Sequence, residues 1–328
     1  MKTTARSILV SVPASLCILG DPGDLFGGSV LACAVDVSST VELTDSRAVE
    51  IWAGTRSRLI NWAGDLKTQG DVWDVACVAL EFLGWGLQPV KIRYYGGPQW
   101  GWGLGDHAAT LVALLRGLST WRGQKVSPHQ LAESAYALEH EILGFAGSLC
   151  AAYVAAFGGL CFLDFRGRGG PGSESRVYGT VERLPPPVTE LPLLAAHKGP
   201  GRPARDSVIG LRERWLVGDH RVVESYQIID RLVQEGKKAV LDQDWQRLGK
   251  LMNENAIIQS NLTATDSFSE ELAEIAIESG AWGVRPLGVG EYGTIVALHP
   301  DLPALAKAWE AAGAETIRVV PRQEAGNE

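Results

Sequence analysis

A glycine-rich loop lies between a strand-like and a helix-like segment, and it constrains the fold more than any other feature of the sequence. PVKIRYY (89–95) has the alternation of a β-strand, whereas 107–117 is rich in Ala and Leu. The loop contains Gly101, Gly103 and Gly105. Unpaired amides and the dipole at a helix start favour an anion. The sequence therefore predicts a phosphate-binding loop or, alternatively, a tight turn in which glycine supplies positive φ.

The spacing excludes two common phosphate-binding motifs. No lysine follows the loop as in G-x-x-x-x-G-K-[ST], and GWGLGD lacks the third glycine of the dinucleotide fingerprint. Asp106, which follows the loop directly, opposes a triphosphate, because two unit charges about 4 Å apart repel by roughly 4 kcal/mol at an effective dielectric constant of 20. Either Asp106 coordinates a cation that cancels this repulsion, or the loop does not bind a triphosphate.

Composition limits the classes of partner. The chain has 328 residues, enough for one large or two ordinary domains, and its net charge of −8 offers no basic stripe for nucleic acid. The chain has no run of about 18 apolar residues, so the sequence predicts no membrane-spanning helix. Five cysteines without a C-x-x-C spacing predict free thiols in a reducing compartment, hence a cytoplasmic protein. The sequence leaves homodimer formation open.

Strand and helix patterns alternate without a regular βαβ repeat, which favours an α+β fold. Strands are expected at 7–19, 29–44, 89–95 and near the C-terminus, with partly helical structure at 46–66. Further helices are expected at 71–85 with Asp71 as N-cap, at 127–144 with Ser127 as N-cap and Gly144 at the end, over 208–257, and at 267–280. The Pro-rich segment near Pro185–Pro187 is the expected domain boundary.

The order of three loops resembles the GHMP kinase family, which includes galactokinase, homoserine kinase and mevalonate kinase. GDPGDLFGG (20–28), PQWGWGLGDHAA (98–109) and GVRPLGVGEYG (283–293) follow the family's motif order, and YVAAFGG (153–159) is similar to the kinases of heptose 7-phosphate. The resemblance implies two domains. The first, 1–184, would be a nucleotide-binding domain like ribosomal protein S5 domain 2, and the second, 185–328, a ferredoxin-like domain.

The same resemblance implies site residues. ATP would contact the middle loop and the start of its helix, at Gly101, Gly103, Leu104, Gly105, Asp106, His107 and Ala108. Mg²⁺ would be held by Glu139 and Asp106. The acceptor would meet Asp24, Gly288, Gly290 and Glu291, and the candidate catalytic residues are Asp24, Asp106 and His107. Without the resemblance, Asp24 reads equally as a turn residue, Glu139 as a solvated helix position and His107 as an ordinary first-turn residue.

Several positions depart from the family pattern. Ala151 stands where the sugar kinases have a catalytic Asp, and Ser15 corresponds to an Arg near the acceptor oxygen. Asp106 and His107 replace a serine pair that includes a metal ligand. The third motif is normally almost all glycine, and here the run is interrupted by Val289, Glu291 and Tyr292.

Three functions therefore remain open. The first is an ATP- and Mg²⁺-dependent kinase of a small molecule such as a sugar or sugar phosphate. The second is another enzyme built on the same fold, with an acid–base cluster in the altered site. The third is a metabolite-binding pseudokinase. The basic loop containing Lys198, Arg202 and Arg205 is either a clamp for an anionic substrate or a solvated linker.

Overall fold

The computed structural model describes residues 6–95, 101–145, 147–168, 177–185, 191–199 and 205–322. Within these ranges the strands are β1 (Ser7–Leu19), β2 (Ser29–Thr44), β3 (Val49–Ala53), β4 (Arg56–Ile60), β5 (Val90–Tyr95), β6 (Leu160–Asp164), β7 (Thr180–Leu184), β8 (Leu193–His197), β9 (Gly283–Pro286), β10 (Thr294–Leu298) and β11 (Glu315–Arg318).

The α-helices in the same ranges are α1 (Asp74–Phe82), α2 (Asp106–Trp121), α3 (Pro128–Ala137), α4 (Leu149–Phe157), α5 (Arg205–Leu216), α6 (His220–Leu241), α7 (Trp245–Ser260), α8 (Ser267–Glu278) and α9 (Leu302–Ala311). Short 3-10 turns occupy Gly23–Phe26 and Ala63–Leu66, and a π-turn, Leu138–Ile142, extends α3. None of these helices is long and apolar enough to cross a membrane.

The first sheet has the strand order β4-β3-β5-β2-β6-β7, and β1 pairs with β2. The long strand β2 organises this sheet, because its first half pairs with β6 and its second half with β5. Side chains alternate between its two faces: Val30 and Ala32 join the core under α1–α4, whereas Leu31 and Cys33 join a core shared with α6 and α7. Both faces of the sheet are therefore buried near the site.

The second sheet is antiparallel, with the order β11-β8-β10-β9. One face packs against α8 and α9 through residues that include Leu272 and Trp309. The opposite face contributes Leu193 and Val296 to the core that also contains α6 and α7. An antiparallel sheet with helices on its faces, beside a mixed sheet covered by helices, confirms the α+β prediction.

Local signals predicted several elements correctly. Ser127 caps α3, and Gln130 completes the capping box, as the spacing indicated. The helix predicted at 267–280 is α8, with Asp266 as its N-cap. The predicted helical region 208–257 corresponds to α5, α6 and α7. The five cysteines are free thiols, as expected.

Other local expectations were wrong. The segment 46–66 forms β3, β4 and a 3-10 turn rather than part of a helix, because β3 pairs with both β4 and β5. Asp71 does not cap α1, which begins at Asp74 with Trp73 in the N-cap position. The helix from 128 leaves α geometry after Ala137 and becomes the π-turn before Gly144. Residues 186–190 lie outside the described ranges, so the domain boundary stays a prediction.

Candidate functional site

A cavity of about 360 Å³ lies between the helices of the first sheet and the loop that joins β9 to β10. Its walls come from β1, the loop before α2, the π-turn, the start of α4 and the β9–β10 loop. Its lining includes Ser15, Asp21, Gly101, Gly103, Gly105, Asp106, His107, Glu139, Ala151, Arg205, Gly288 and Tyr292. The cavity therefore brings together residues from all three glycine loops or their direct neighbours.

The middle loop ends in a helix start without a side-chain cap. Gly105 is the N-cap residue of α2 with φ +70°, and it has no side chain to accept the first-turn amides. Asp106 Oδ2 accepts a hydrogen bond from the Gly101 amide at 3.1 Å. Buried Trp102 stacks on His197 of β8 at a ring distance of 4.6 Å. The loop is thus closed on itself and anchored to the second sheet. Pro98, Gln99 and Trp100, which begin the predicted motif, lie outside the described residues.

Ser15 and Ala151, the positions where the resemblance implies an Arg and a catalytic Asp, lie together against this loop. The Ser15 amide donates to Leu104 O at 2.8 Å, which ties β1 to the loop. A Cβ placed on Gly105 would lie 2.7 Å from both Ala151 Cβ and Ser15 Oγ. Small side chains at 15 and 151 therefore accompany a close approach of the glycine loop. Ser15 and Ala151 thus share one packing environment with Gly105.

Asp106 and Glu139 form a buried acidic pair in the cavity. Burial raises the pKa of Asp106 to about 6, against the hydrogen bond from Gly101, which lowers it. Burial, followed by the charge of Asp106, raises the pKa of Glu139 to about 8. Glu139 Oε2 is buried without a hydrogen-bond partner. Two carboxylates with an unsatisfied oxygen fit Mg²⁺, which takes one or two carboxylates and completes its shell with phosphate oxygens and water.

Without a nucleotide, the protein offers few ligands for a metal ion. Among the described residues, no group of three or more His, Cys, Asp or Glu side chains is placed to hold a metal ion. Two protein carboxylates alone would leave most of an octahedral shell to be filled. The residues present therefore suit a metal that arrives with phosphate oxygens rather than a resident structural ion.

The third loop is fixed by a buried ion pair that sequence reasoning missed. Asp21, at the end of β1, pairs with Arg285 of β9, which is 1% exposed. Asp21 Oδ2 also accepts the Gly288 amide at 2.7 Å. The available signal was an acid and an arginine next to apolar strands, since charged residues in such places are almost always paired. Through these two contacts Asp21 ties the third loop to the segment that follows β1.

Tyr292 joins the middle and third loops. Its ring lies so close to both that a Cβ on Gly103 or on Gly288 would fall 2.8 Å from ring atoms. The side chain also lines the cavity. Tyr292 interrupts the glycine run expected at this motif, and the structure gives it a packing role between the two loops.

The remaining predicted residues occupy different places. Leu104 and Ala108 are buried and are not part of the cavity wall. Gly290 O accepts the Asp266 amide, and Glu291 Oε1 accepts the Ser207 hydroxyl at 2.7 Å; neither residue lines the first cavity. His107 does line it and stacks on Phe145 at 4.3 Å. Burial lowers the pKa of the His107 imidazole.

Asp24 lines a second cavity of about 850 Å³ that adjoins the first. Its Oδ2 accepts the Ser148 hydroxyl at 2.8 Å and the Cys150 amide at 2.9 Å, while Oδ1 is buried without a partner. Burial raises the pKa of this carboxyl, although both hydrogen bonds lower it. Asp24 therefore fixes the start of α4 and keeps one oxygen unsatisfied next to the second cavity.

The basic loop is only partly described. Lys198 pairs with Glu271 at 2.7 Å, on the surface. Arg205, at the start of α5, lines both cavities. Arg202 lies outside the described residues. Of this loop, Arg205 is thus the residue that the structure places at the site.

Comparison with known proteins agrees with this arrangement. The chain is 24% identical over 315 residues to a mevalonate kinase of Pyrococcus furiosus, covering 90% of each chain. It is 26% identical over 200 residues to a D-glycero-alpha-D-manno-heptose 7-phosphate kinase of Campylobacter jejuni, covering 59% of this chain and 56% of that one. The crystal structure of Lactococcus lactis galactokinase complexed with galactose superimposes with a TM-score of 0.81 at 15% identity, covering 98% of this chain and 95% of that chain.

Two family models match the chain on either side of the cavity. The model for the GHMP kinases N terminal domain matches residues 72–159, which contain the middle loop, Glu139 and Ala151. The model for the GHMP kinases C terminal domain matches residues 237–317, which contain the third loop. With the fold, the loop order and both halves in agreement, the chain belongs to the GHMP kinase family.

Proposed function

We propose that this protein is an ATP-dependent kinase that transfers the γ-phosphoryl group to a hydroxyl of a small molecule. One observation carries the proposal: the uncapped start of α2 and the acidic pair Asp106 and Glu139 line the same cavity. Amides at a helix start bind phosphate, and paired carboxylates bind the divalent cation that accompanies a nucleotide. The kinase relatives named above support the same reaction class.

Asp106 and Glu139 are the residues that would hold Mg²⁺. The ion supplies neutralisation of the charge that develops on the transferred phosphoryl group. In its absence the two carboxylates oppose each other's ionisation, since the charge of Asp106 raises the pKa of Glu139. The proposal therefore requires that the nucleotide bind much more tightly when the metal ion is present than when it is absent.

This site relies on positioning more than on a strong base. Phosphoryl transfer has a loose transition state, and catalysis comes mainly from orientation and charge stabilisation. Ala151 offers no carboxylate to take the proton of the acceptor hydroxyl. His107 is the group we assign to that proton, because burial lowers the pKa of its imidazole and keeps it uncharged at neutral pH. Asp24, next to the second cavity, is assigned to orient the acceptor.

Nucleotide binding without transfer is the second candidate function. It is favoured by the close approach of Gly105 to Ala151 and Ser15, since the resemblance implies a catalytic Asp and an Arg at these two positions. A pseudokinase would keep the loop and the acidic pair while losing turnover. A different enzyme on the same fold would instead turn over substrate without nucleotide.

Calorimetric titration with a non-hydrolysable ATP analogue, with and without Mg²⁺, tests the proposal first. We expect Mg²⁺-dependent binding, and its absence at millimolar nucleotide would exclude the kinase. ADP release is then measured with sugars, sugar phosphates and mevalonate, using Lys237→Gln, which changes a surface pair with Glu182, as the control. Binding with no turnover on any acceptor would identify the pseudokinase.

A further inference from the structure

The second cavity extends the first one away from the nucleotide loop. The two share the residues Leu25, Gly144, Phe145, Arg205 and Val208. Asp24 lies on the wall of the second cavity, and its nearest helix, α4, begins at the first. An acceptor whose hydroxyl enters the first cavity therefore has the second one available for the rest of the molecule.

Four arginines line the second cavity, but two of them are neutralised by acids. Arg166 binds both carboxylate oxygens of Asp164 through Nε, at 2.9 and 3.1 Å. Arg168 binds both oxygens of Glu133, at 3.0 and 2.7 Å. Such bidentate pairs are strong and leave little charge for a ligand. These two arginines are thus part of the wall rather than free ligand-binding cations.

Arg205 and Arg212 differ from them. Both lie on α5, and no carboxylate of the described ranges is within ion-pair distance of either guanidinium. Arg212 Nη1 lies 3.0 Å from His140 Nε2. An imidazole carries no negative charge in any protonation state, so this contact positions Arg212 without neutralising it.

Aromatic packing supports His140 from behind. His140 stacks on Tyr136 at 5.4 Å with an angle of 8° between the rings. The Arg168 guanidinium lies 5.7 Å from the centre of the same Tyr136 ring. Arg212 is consequently placed by a stacked pair on the π-turn side of the cavity, at little cost in side-chain entropy.

Negative charge on the same wall does not compensate these arginines. Glu141 and Glu213 line the cavity but are exposed to solvent, where their charges are screened. Asp24 is buried, and burial raises the pKa of its carboxyl. Arg205 is as exposed as these glutamates, whereas Arg212 is half-buried and has no carboxylate partner among the described residues, so Arg212 is the guanidinium that a ligand inside the cavity would meet first.

Building on the proposed kinase function, we propose that the acceptor carries an anionic group, a phosphate or a carboxylate, which Arg212 and Arg205 bind in the second cavity. Planar guanidinium groups bind two oxygens of either anion at once. The anion anchors one end of the acceptor, and the hydroxyl to be phosphorylated lies at the other end, near Asp24 and the first cavity. Neutral sugars of the same size lack this anchor.

Matched acceptor pairs test the proposal. We expect kcat/KM for ATP-dependent turnover to be at least 10-fold higher for a sugar phosphate, or for a hydroxy acid, than for the corresponding neutral sugar or diol. The two anionic arms distinguish phosphate from carboxylate as the natural group. Arg212→Gln should raise KM for the anionic acceptor about 10- to 100-fold and leave KM for ATP unchanged. Arg214→Gln, on the same helix and paired with Asp219, is the matched control.

Binding without turnover separates this inference from the kinase proposal. Inorganic phosphate, titrated by calorimetry at saturating non-hydrolysable ATP analogue, should bind to the wild type and to Arg214→Gln but at least 10-fold more weakly to Arg212→Gln. Weaker phosphate binding by Arg212→Gln, together with no turnover on any acceptor, would exclude the kinase function and support the anion site. Equal phosphate binding by both variants, or turnover of neutral acceptors that equals that of anionic ones, would overturn the anion site. Circular dichroism verifies that both variants are folded.

Discussion

Asp106 Oδ2 accepts a hydrogen bond from the Gly101 amide, so that the first residue of α2 closes the loop that precedes it. The same carboxylate raises the pKa of Glu139. Asp106 therefore performs two tasks: it shapes the glycine loop and contributes half of the acidic pair. An acid in a nucleotide-binding loop is consistent with phosphate binding only if a cation is bound beside it.

Replacing Asp106 by Asn tests this condition. Asn keeps an acceptor for the Gly101 amide and removes the charge. We expect nucleotide affinity with Mg²⁺ to fall about 10- to 100-fold, or roughly 1.4–3 kcal/mol, because one metal ligand is weakened. Without Mg²⁺ the affinity should rise, because the repulsion is gone. Calorimetry with and without the metal measures both. Weaker binding in both conditions would show that Asp106 acts through loop shape alone.

Gly105→Ala tests the close approach of the loop to Ala151 and Ser15. A Cβ at 105 would lie 2.7 Å from atoms of both residues, in addition to the cost of φ +70°. Gly123 is the control, because it has φ +71° and a Cβ added there would meet nothing within 4 Å. We expect Gly123→Ala to cost about 1 kcal/mol and Gly105→Ala about 1–3 kcal/mol more in urea unfolding.

Nucleotide binding gives a second measurement on the same two glycine variants. Gly105→Ala should lower nucleotide affinity, since the loop must move away from Ala151 to admit the methyl group, while Gly123→Ala should leave it unchanged. Equal unfolding free energies for the two variants would show that the loop moves freely and that its close approach to Ser15 and Ala151 does not constrain it.

Asp21→Asn tests the buried ion pair below the third loop. The change leaves Arg285, which is 1% exposed, without its counter-charge. Removing one partner of a buried pair costs about 3–5 kcal/mol. Glu271→Gln, which disrupts the surface pair with Lys198, should cost no more than about 1 kcal/mol. Chemical denaturation compares the two variants, and similar small losses would mean that water reaches Arg285.

Asp24→Asn tests the pH dependence of stability. Burial raises the pKa of Asp24 above its ordinary value of 3.8 in the folded state. As pH rises above that value, the unfolded chain loses the proton while the folded chain retains it, so the free energy of unfolding falls by up to about 1.4 kcal/mol per pH unit until the folded pKa is passed. The Asn variant should show a shallower decline, because Asp106 and Glu139, whose pKa values burial raises to about 6 and about 8, still contribute to the fall.

Unfolding in urea at a series of pH values from 4 upward measures the effect of Asp24. Asp219→Asn serves as the control, because pairing with Arg214 lowers the pKa of Asp219 and its contribution is lost only when pH falls below the ordinary carboxyl range. A decline of equal slope in the wild type and in Asp24→Asn would assign the pH dependence to another group.

The elements that could be predicted from sequence are those set by local chemistry. Ser127 and Gln130 predicted α3, and the glycine loop predicted the start of α2, since caps and helix starts are determined within a few residues. The segment 46–66 was misjudged because its first strand, β3, pairs with β5, more than thirty residues away, and β4 then pairs with β3. Contacts of this kind leave no periodic signal in the segment itself.

The same distinction applies to the site. Asp106, His107 and Glu139 were found from a loop and a family pattern, and all three line one cavity. Asp21, Arg285 and the pairing of Ser15 with Ala151 around Gly105 were missed, because each depends on residues that meet only in three dimensions. The absence of an acid partner for Arg212 within the described residues likewise depends on the fold, which decides which arginines of the second cavity meet acids.

The position of Tyr292 between Gly103 and Gly288 has a consequence for how this protein can be altered. Any side chain larger than hydrogen at either glycine would collide with the ring. A design that places bulkier residues in the loops must first replace Tyr292 by a smaller residue. If Gly103 or Gly288 is changed first, the intermediate variant contains a steric clash with the Tyr292 ring. The order of substitutions, and not just their sum, then decides which new specificities are reachable.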